Sequence, residues 1–376
     1  MNKIFEKTDI YFLRSKEILE KEKLNPWVNM QVFIRKGPGN VFGIKSAIET
    51  ILENSNLDKV DGVKIYAKKE GQEYDSCETV MNIVAPIQEI VALETIYLGM
   101  ISSETTRQND NFELNYETIG RNIRDVVELA KGRPVLYFGA RHWDPNEDSK
   151  LAMLAYENGC SAVATMNGGK VTGLPVIGTI PHALENVLAY VYGEESAVKK
   201  STMLFDKHMN KEIPRVALVD YNNKEITDSL ETAIALNGNL AGVRIDTCGE
   251  NLAEGALGGS DKYMTGSGVT TSAVAALRNS LNRNGFPDVK IYVSSGFSNP
   301  EKVRAFNSEE ERLGLKLYDA IGAGFLDGVR TTTADIVAVG ESPEEVDFYQ
   351  NNVREENILH KVGRPPRPNY LLERII

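Results

Sequence analysis

Apolar positions fall along this chain in two rhythms. Near the start they recur at helical spacing from Ile10 to Lys21, then condense into short β-like runs at Val28 to Ile34 and Val63 to Ala67. Ile87, Ile90, Val91, Leu93 and Leu98 return to helical spacing between Pro86 and Gly99, and another helix is predicted from Thr118 to Ala130. This part describes an α+β module. Beyond Gly132 short apolar runs end in small or polar residues, at Pro134 to His142, Ser161 to Thr165, Pro175 to His182, Arg215 to Tyr221, Leu240 to Thr247, Val289 to Gly296 and Leu317 to Gly324. Amphipathic stretches fill most gaps: Lys150 to Asn158, Ala183 to Tyr192, Thr227 to Leu236, Thr271 to Asn282 and Glu301 to Phe306. Strand and helix alternating about seven times predict a parallel sheet, most economically a closed β/α barrel. The stretch from Glu341 on carries no further repeat and is expected to leave the barrel and pack on the first module.

Composition narrows the function classes. The chain has 376 residues, 42% of them hydrophobic, enough for about two or three domains with a large core. A formal net charge of −11 argues against general adhesion to nucleic acid or to an anionic membrane, so any phosphate must be held locally. Cys77, Cys160 and Cys248 are widely separated and form no Cys-x-x-Cys pair, which leaves no legible disulfide framework or zinc knuckle and makes a reducing cytoplasm the simplest compartment. Met1 to Lys7 alternates charged and apolar residues, unlike a signal peptide. The most apolar stretch, Ile83 to Ile101, contains Pro86, Gln88, Glu89 and Glu94, costly in a bilayer, and is expected to be a buried helix.

In a β/α barrel the reactive groups gather at the carboxyl ends of the strands. Here those ends carry Phe138-Gly139-Ala140-Arg141-His142, Gly178-Thr179-Ile180-Pro181-His182, Asp220-Tyr221, Arg244-Ile245-Asp246-Thr247, Ser294-Ser295-Gly296 and Gly322-Ala323-Gly324. Small residues after the last two strands suit a phosphate approached by backbone N–H groups. Asp220 fits a helix cap, or with Asp246 a site for magnesium or a cationic transition state. Arg244 fits pairing with a carboxylate as well as anion binding, and His182 fits a core or capping role as well as catalysis. Phe138 and Tyr11 read first as core aromatics, whereas Arg141 at a barrel mouth calls for an anionic partner.

Taken together, Thr8-Asp9-Ile10-Tyr11, Phe138-Gly139-Ala140-Arg141, Gly178-Thr179-Ile180-Pro181-His182-Ala183, Val219-Asp220, Val243-Arg244-Ile245-Asp246-Thr247, Val293-Ser294-Ser295-Gly296 and Ile321-Gly322-Ala323-Gly324 resemble, in order and spacing, the nicotinate phosphoribosyltransferase family, most closely its shorter archaeal-type branch. The likeness runs from about residue 8 to residue 340. It implies an α/β fold in which residues 1–115 and 341–376 form an α/β sandwich and residues 116–340 an irregular, TIM-like β/α barrel. The family works as a homodimer with shared active sites, joining nicotinate to phosphoribosyl pyrophosphate to give nicotinate mononucleotide and pyrophosphate in NAD salvage. Magnesium is the implied cofactor and ATP the implied co-substrate, spent through a phosphorylated histidine.

Carried onto this sequence, the resemblance makes His182 the phosphorylated histidine. It makes Phe138 and a partner subunit's Tyr11 the two faces of a clamp on the pyridine ring, with Arg141 and Thr179 in the same pocket. Asp246, with Arg244 beside it, would hold the ribose hydroxyls, and Asp220 would sit near the anomeric carbon or the magnesium. Ser295, Gly296, Gly322 and Gly324 would hold the 5′-phosphate, while Arg35 or Lys36 reaches the pyrophosphate from the other subunit. Departures from the family pattern are Thr247-Cys248-Gly249-Glu250 with its Gly-rich continuation to Gly268, Tyr221 in place of a threonine, and His142-Trp143-Asp144 after Arg141. The rival readings are a quinolinate or nicotinamide phosphoribosyltransferase, a catalytically silent paralogue that binds a phosphorylated ligand, and a barrel lyase with a Schiff-base lysine, for which Lys290 is the candidate. Quinolinate is disfavoured because no lysine or second arginine follows Arg141 closely.

Overall fold

The computed structural model describes residues 3–350 and 353–376; Met1, Asn2, Asn351 and Asn352 lie outside them. Its main strands are, in chain order, β1 (Trp27–Ile34), β2 (Lys64–Ala67), β3 (Thr79–Pro86), β4 (Val135–Tyr137), β5 (Ala162–Val163), β6 (Val216–Leu218), β7 (Gly242–Ile245), β8 (Lys290–Val293), β9 (Ala320–Ala323), β10 (Thr332–Gly340) and β11 (Glu373–Arg374). Four helices matter for the site: α1 (Ile10–Glu22), α2 (Glu94–Asp110), α3 (His182–Tyr192) and α4 (Pro300–Leu313).

One sheet is antiparallel, in the order β10-β1-β3-β2-β11. Alternation along β1 shows how it is covered. Val28, Met30, Val32 and Ile34 are fully buried in the main apolar core, while the alternate residues Asn29 and Gln31 are buried under the C-terminal segment. Their polar atoms are satisfied there: Asn29 donates to the Val346 carbonyl at 2.7 Å, and Gln31 donates to the Pro365 carbonyl and accepts from the Arg367 amide. The return of the C-terminus to the first module is therefore built into β1. β10 pairs with β1 from Trp27↔Gly340 to Ile34↔Thr332, so residues 332–340 belong with the antiparallel sheet, and the boundary expected at 340 lies earlier, before Thr332.

The other sheet is parallel, in the order β5-β4-β9-β8-β7-β6. The run Pro175 to His182, expected as a strand, forms none. Pro175 and Pro181 cannot donate to a ladder and Gly178 takes φ +142°, so the segment stays irregular. It still bridges the two edge strands, because the Ile177 amide donates to the Val163 carbonyl at 2.9 Å and Thr179 Oγ1 donates to the Val216 carbonyl at 2.6 Å. The result is a curled, irregular barrel beside an antiparallel sheet.

A second correction concerns Ile83 to Ile101. Ile83 to Pro86 end β3, and the chain then passes through a short helix and a 3-10 turn before α2 begins at Glu94. Val80, Ile83 and Val84 are β-branched and fit a buried pleat, which helical spacing further along had masked. One apolar cluster runs through both sheets, and each wholly buried Ile, Leu or Val in it contributes roughly 1.5–3 kcal/mol. No helix among the described residues is long and apolar enough to cross a membrane.

Candidate active site

The carboxyl ends of β4, β7, β8 and β9, the heads of α1, α2 and α3, and the segment around Lys361 to Arg364 enclose a cavity of about 470 Å³. Helix α3 begins at His182, because Pro181 has extended φ and ψ and stops the irregular segment before it. The imidazole is thus at the positive end of a helix, where anions are favoured. Its Nδ1 lies 2.8 Å from Glu185 Oε2, one helical turn on, and its Nε2 lies 3.3 Å from Asp220 Oδ2. Burial and the Lys361 ammonium act to keep the ring neutral, but the two carboxylates outweigh them, and its pKa stands above the ordinary histidine value. Burial alone would raise Asp220, but its pairing with His182 carries it below the usual carboxyl range, whereas burial raises Glu185. Asp220 Oδ1 is buried and has no hydrogen-bond partner among the described residues.

Beyond β7, Asp246 is fixed from two sides. Arg244 Nη2 stands 3.1 Å from Oδ2, and the Ser294 hydroxyl donates to Oδ1 at 2.6 Å. Residues 244 and 246 share one face of their strand, which sets the pair at the mouth. The Arg244 guanidinium also lies 5.8 Å from the centre of the Phe138 ring.

Arg141 stands at the base of the cavity with Phe138, Tyr11 and Glu94. Its Nη1 is 4.0 Å from Glu94 Oε1. Burial pushes the Glu94 carboxyl up to about 8, against the pull of Arg141. His142 is held neutral, its pKa pushed down to about 3 by burial and then by Arg141 and Arg35. Tyr11 and Arg35 both line the cavity of their own chain. Arg35 also donates to Thr333 Oγ1 and faces Glu250 at 3.7 Å.

At the expected phosphate end, Ser295 and Gly296 form a left-handed turn with φ +64° and +81° ahead of α4. Lys302 on α4 donates to the Ser295 carbonyl at 2.8 Å, and burial lowers its pKa to about 8. Gly322 and Gly324 also line the cavity, but their missing side chains make room for neighbours. A Cβ on Gly322 would stand 2.4 Å from Phe138 Cε2, and one on Gly324 would stand 2.5 Å from His142 Nδ1. Both are spacers for Phe138 and His142.

Some expected residues are elsewhere. Thr179 is outside the cavity wall, tying the irregular segment to β6. Trp143 is wholly buried, donates to Glu147 and packs under Arg107. Tyr221 lies beneath Lys361, whose ammonium is 5.6 Å from its ring centre. Lys290 is exposed at the opening of β8 and is absent from the cavity wall, which removes it as a Schiff-base lysine. Lys361, Arg364, Glu94 and Glu185 had not been singled out. Glu94 was noted only as a charge unsuited to a membrane, although an acid inside a buried apolar run is itself a signal of function.

A family model described as the N-terminal domain of quinolinate phosphoribosyl transferase matches residues 9–104. Among solved structures, the chain is similar to a nicotinate phosphoribosyltransferase from Porphyromonas gingivalis, with 15% identity, 90% of each chain covered and a TM-score of 0.61. It is similar to a putative nicotinate phosphoribosyltransferase from Saccharomyces cerevisiae, with 13% identity, 90% of this chain and 91% of that one covered, and a TM-score of 0.65. A third, a nicotinate phosphoribosyltransferase from Vibrio cholerae, has 12% identity, 90% and 86% coverage, and a TM-score of 0.62. The class defined by these likenesses is one of architecture: a β/α barrel joined to a sandwich built from both ends of the chain. Its solved examples are nicotinate phosphoribosyltransferases, and at these identities what the chain shares with them is the fold.

Proposed function

We propose that this protein is a phosphoribosyltransferase of NAD synthesis that joins nicotinate to phosphoribosyl pyrophosphate. The observation that carries the reading is one cavity holding an aromatic pair, a cation for a ring carboxylate and two fixed carboxylates: Tyr11, Phe138, Arg141, Asp220 and Asp246. The pyridine nitrogen forms a bond to the anomeric carbon as the bond to pyrophosphate breaks. Positive charge develops on the ribose, and Asp246, locked by Arg244 and Ser294, is placed to favour it without reorganising. Stacking on Phe138 and Tyr11 aligns a weak nucleophile, which needs an approach of about 3–3.5 Å.

Magnesium suits this site as a substrate-borne ion. Among the described residues no cluster of three or more His, Cys, Asp or Glu side chains is arranged to hold a metal, but magnesium is usually held by one or two carboxylates together with substrate phosphates. Asp220, with its unpartnered Oδ1, and Asp246 are the residues to supply them, and the ion would offset charge on the departing pyrophosphate. ATP coupling through His182 is supported by its place at the head of α3, with Lys361 near enough to act on its charge. Lys361 is buried, has no carboxylate partner within salt-bridge distance among the described residues, and lines the cavity, an arrangement suited to an anionic ligand. A homodimer completes the proposal, to be checked by sedimentation.

Quinolinate is the second reading, favoured by the matching family model and by the cations gathered in the cavity: Arg35, Arg244, Lys361 and Arg364 share it with Arg141. Each arginine already faces a carboxylate side chain, Glu250, Asp246, Asp335 and Glu94 respectively for Arg35, Arg244, Arg364 and Arg141, which leaves Lys361 as the one of these cations without such a partner among the described residues. The test is product formation from phosphoribosyl pyrophosphate and magnesium with nicotinate, nicotinamide or quinolinate, each with and without ATP. Nicotinate mononucleotide formed preferentially, and faster with ATP, is expected. Product from another base alone reassigns the pocket, and none with any base removes the enzymatic reading. His182→Ala is expected to abolish ATP coupling while some base transfer survives; unchanged ATP stoichiometry would remove the role given to His182.

A further inference from the structure

Glu94 is the first residue of α2, and its side chain is only 6% exposed. Among the described residues its carboxyl has no hydrogen bond, and its nearest cation, Arg141, stands 4.0 Å away, beyond hydrogen-bond range. The carboxyl nevertheless lines the cavity, beside Tyr11 and Phe138. A carboxyl that faces a cavity without a hydrogen-bond partner in the protein keeps its valences open to a ligand.

Resting on the reading above, we propose that Glu94 reads the ring substituent of the base, as the second half of a donor–acceptor pair with Arg141. Arg141 only donates. Glu94 as the acid donates to one oxygen of a ring carboxylate while Arg141 donates to the other; Glu94 as the carboxylate repels that substituent and accepts from a donor instead. Its surroundings favour the acid near neutrality. Asp9 and Tyr11 approach from α1, Asp335 from β10 and Tyr97 from the next turn of α2, and burial with the Asp9 and Asp335 charges outweighs Arg141 and His182 to raise its pKa to about 8. A nicotinate pocket containing a fixed anion would otherwise oppose its own substrate.

The experiment is the pH dependence of kcat/KM for nicotinate, at saturating phosphoribosyl pyrophosphate, in the wild-type protein and in Glu94→Gln. The amide is a permanent donor of nearly the same shape. Wild-type kcat/KM for nicotinate is expected to fall about tenfold between pH 6.5 and 9 as Glu94 ionises, and Glu94→Gln to lose that part of the slope. Glu94→Ala is expected to raise KM for nicotinate about tenfold at pH 6.5, where Glu94 is the acid, and to change it little at pH 9, leaving KM for phosphoribosyl pyrophosphate within about twofold. Circular dichroism and the thermal midpoint establish that each variant is folded. Identical pH profiles in wild type and Glu94→Gln overturn the proposal and leave the function standing. Failure of the wild-type protein to transfer nicotinate overturns both, and equal rises in both KM values for Glu94→Ala reduce Glu94 to a structural role.

Discussion

The middle of β1, with its two polar residues, and the mouth of the barrel bury polar groups in opposite ways. In the sheet, Asn29 and Gln31 are inaccessible but saturated by Val346, Asn82, Pro365 and Arg367, and the remainder of β1 is apolar. At the mouth, among the described residues, Asp220 Oδ1 has no partner, and Glu94 and Lys361 meet no opposite charge within hydrogen-bond range. The first arrangement maximises stability, and the second leaves valences for something that arrives later. A protein can carry the cost of the second because the first surrounds it.

That contrast can be broken from either side. The largest effect is expected at Asp246→Ala, which should lower kcat by about 10²–10³-fold with little change in thermal midpoint, since the carboxylate acts on developing charge. Full activity in a folded variant would remove Asp246 from the site. On the other side, Ile83→Ala in β3 empties a wholly buried position and should cost roughly 2–5 kcal/mol in denaturant unfolding, with KM of the surviving folded fraction unchanged. Gly322→Ala tests the spacer role: its new methyl displaces Phe138 and should raise KM for the base about tenfold while sparing phosphoribosyl pyrophosphate. The smallest change is expected at Lys199→Ala, whose exposed pair with Glu231 should be worth less than about 0.5 kcal/mol. A larger loss there would blur the distinction between the two kinds of buried and exposed polar group.

Much of the molecule was legible because its signals are local. Runs such as Leu240 to Thr247 and Val289 to Gly296 announced β7 and β8 together with the polar residues just past them, and α3 starts one residue before the predicted Ala183. What escaped was set by distance along the chain. β3 was hidden because a helical spacing begins directly after it, and β10 because pairing with a strand some 300 residues earlier leaves no local mark. Of the site, Asp220 and Asp246 were visible from their strand-end positions and His182 from its place directly after Pro181, whereas Glu185 depends on a helical turn beyond His182. Lys361 comes from a proline-rich stretch with no regular element, and only the fold shows which cavity it enters.

The pairing of β1 with β10 also fixes when the protein can exist at all. During synthesis residues 27–34 emerge early, yet their long edge stays unpaired until residues 332–340 follow, and Lys361 arrives later still. The nascent chain therefore carries an open, apolar strand edge for nearly the whole of its translation. A product that stops before Thr332 has neither a closed first sheet nor a complete cavity, so such a chain would be prone to aggregation and not a weakened enzyme.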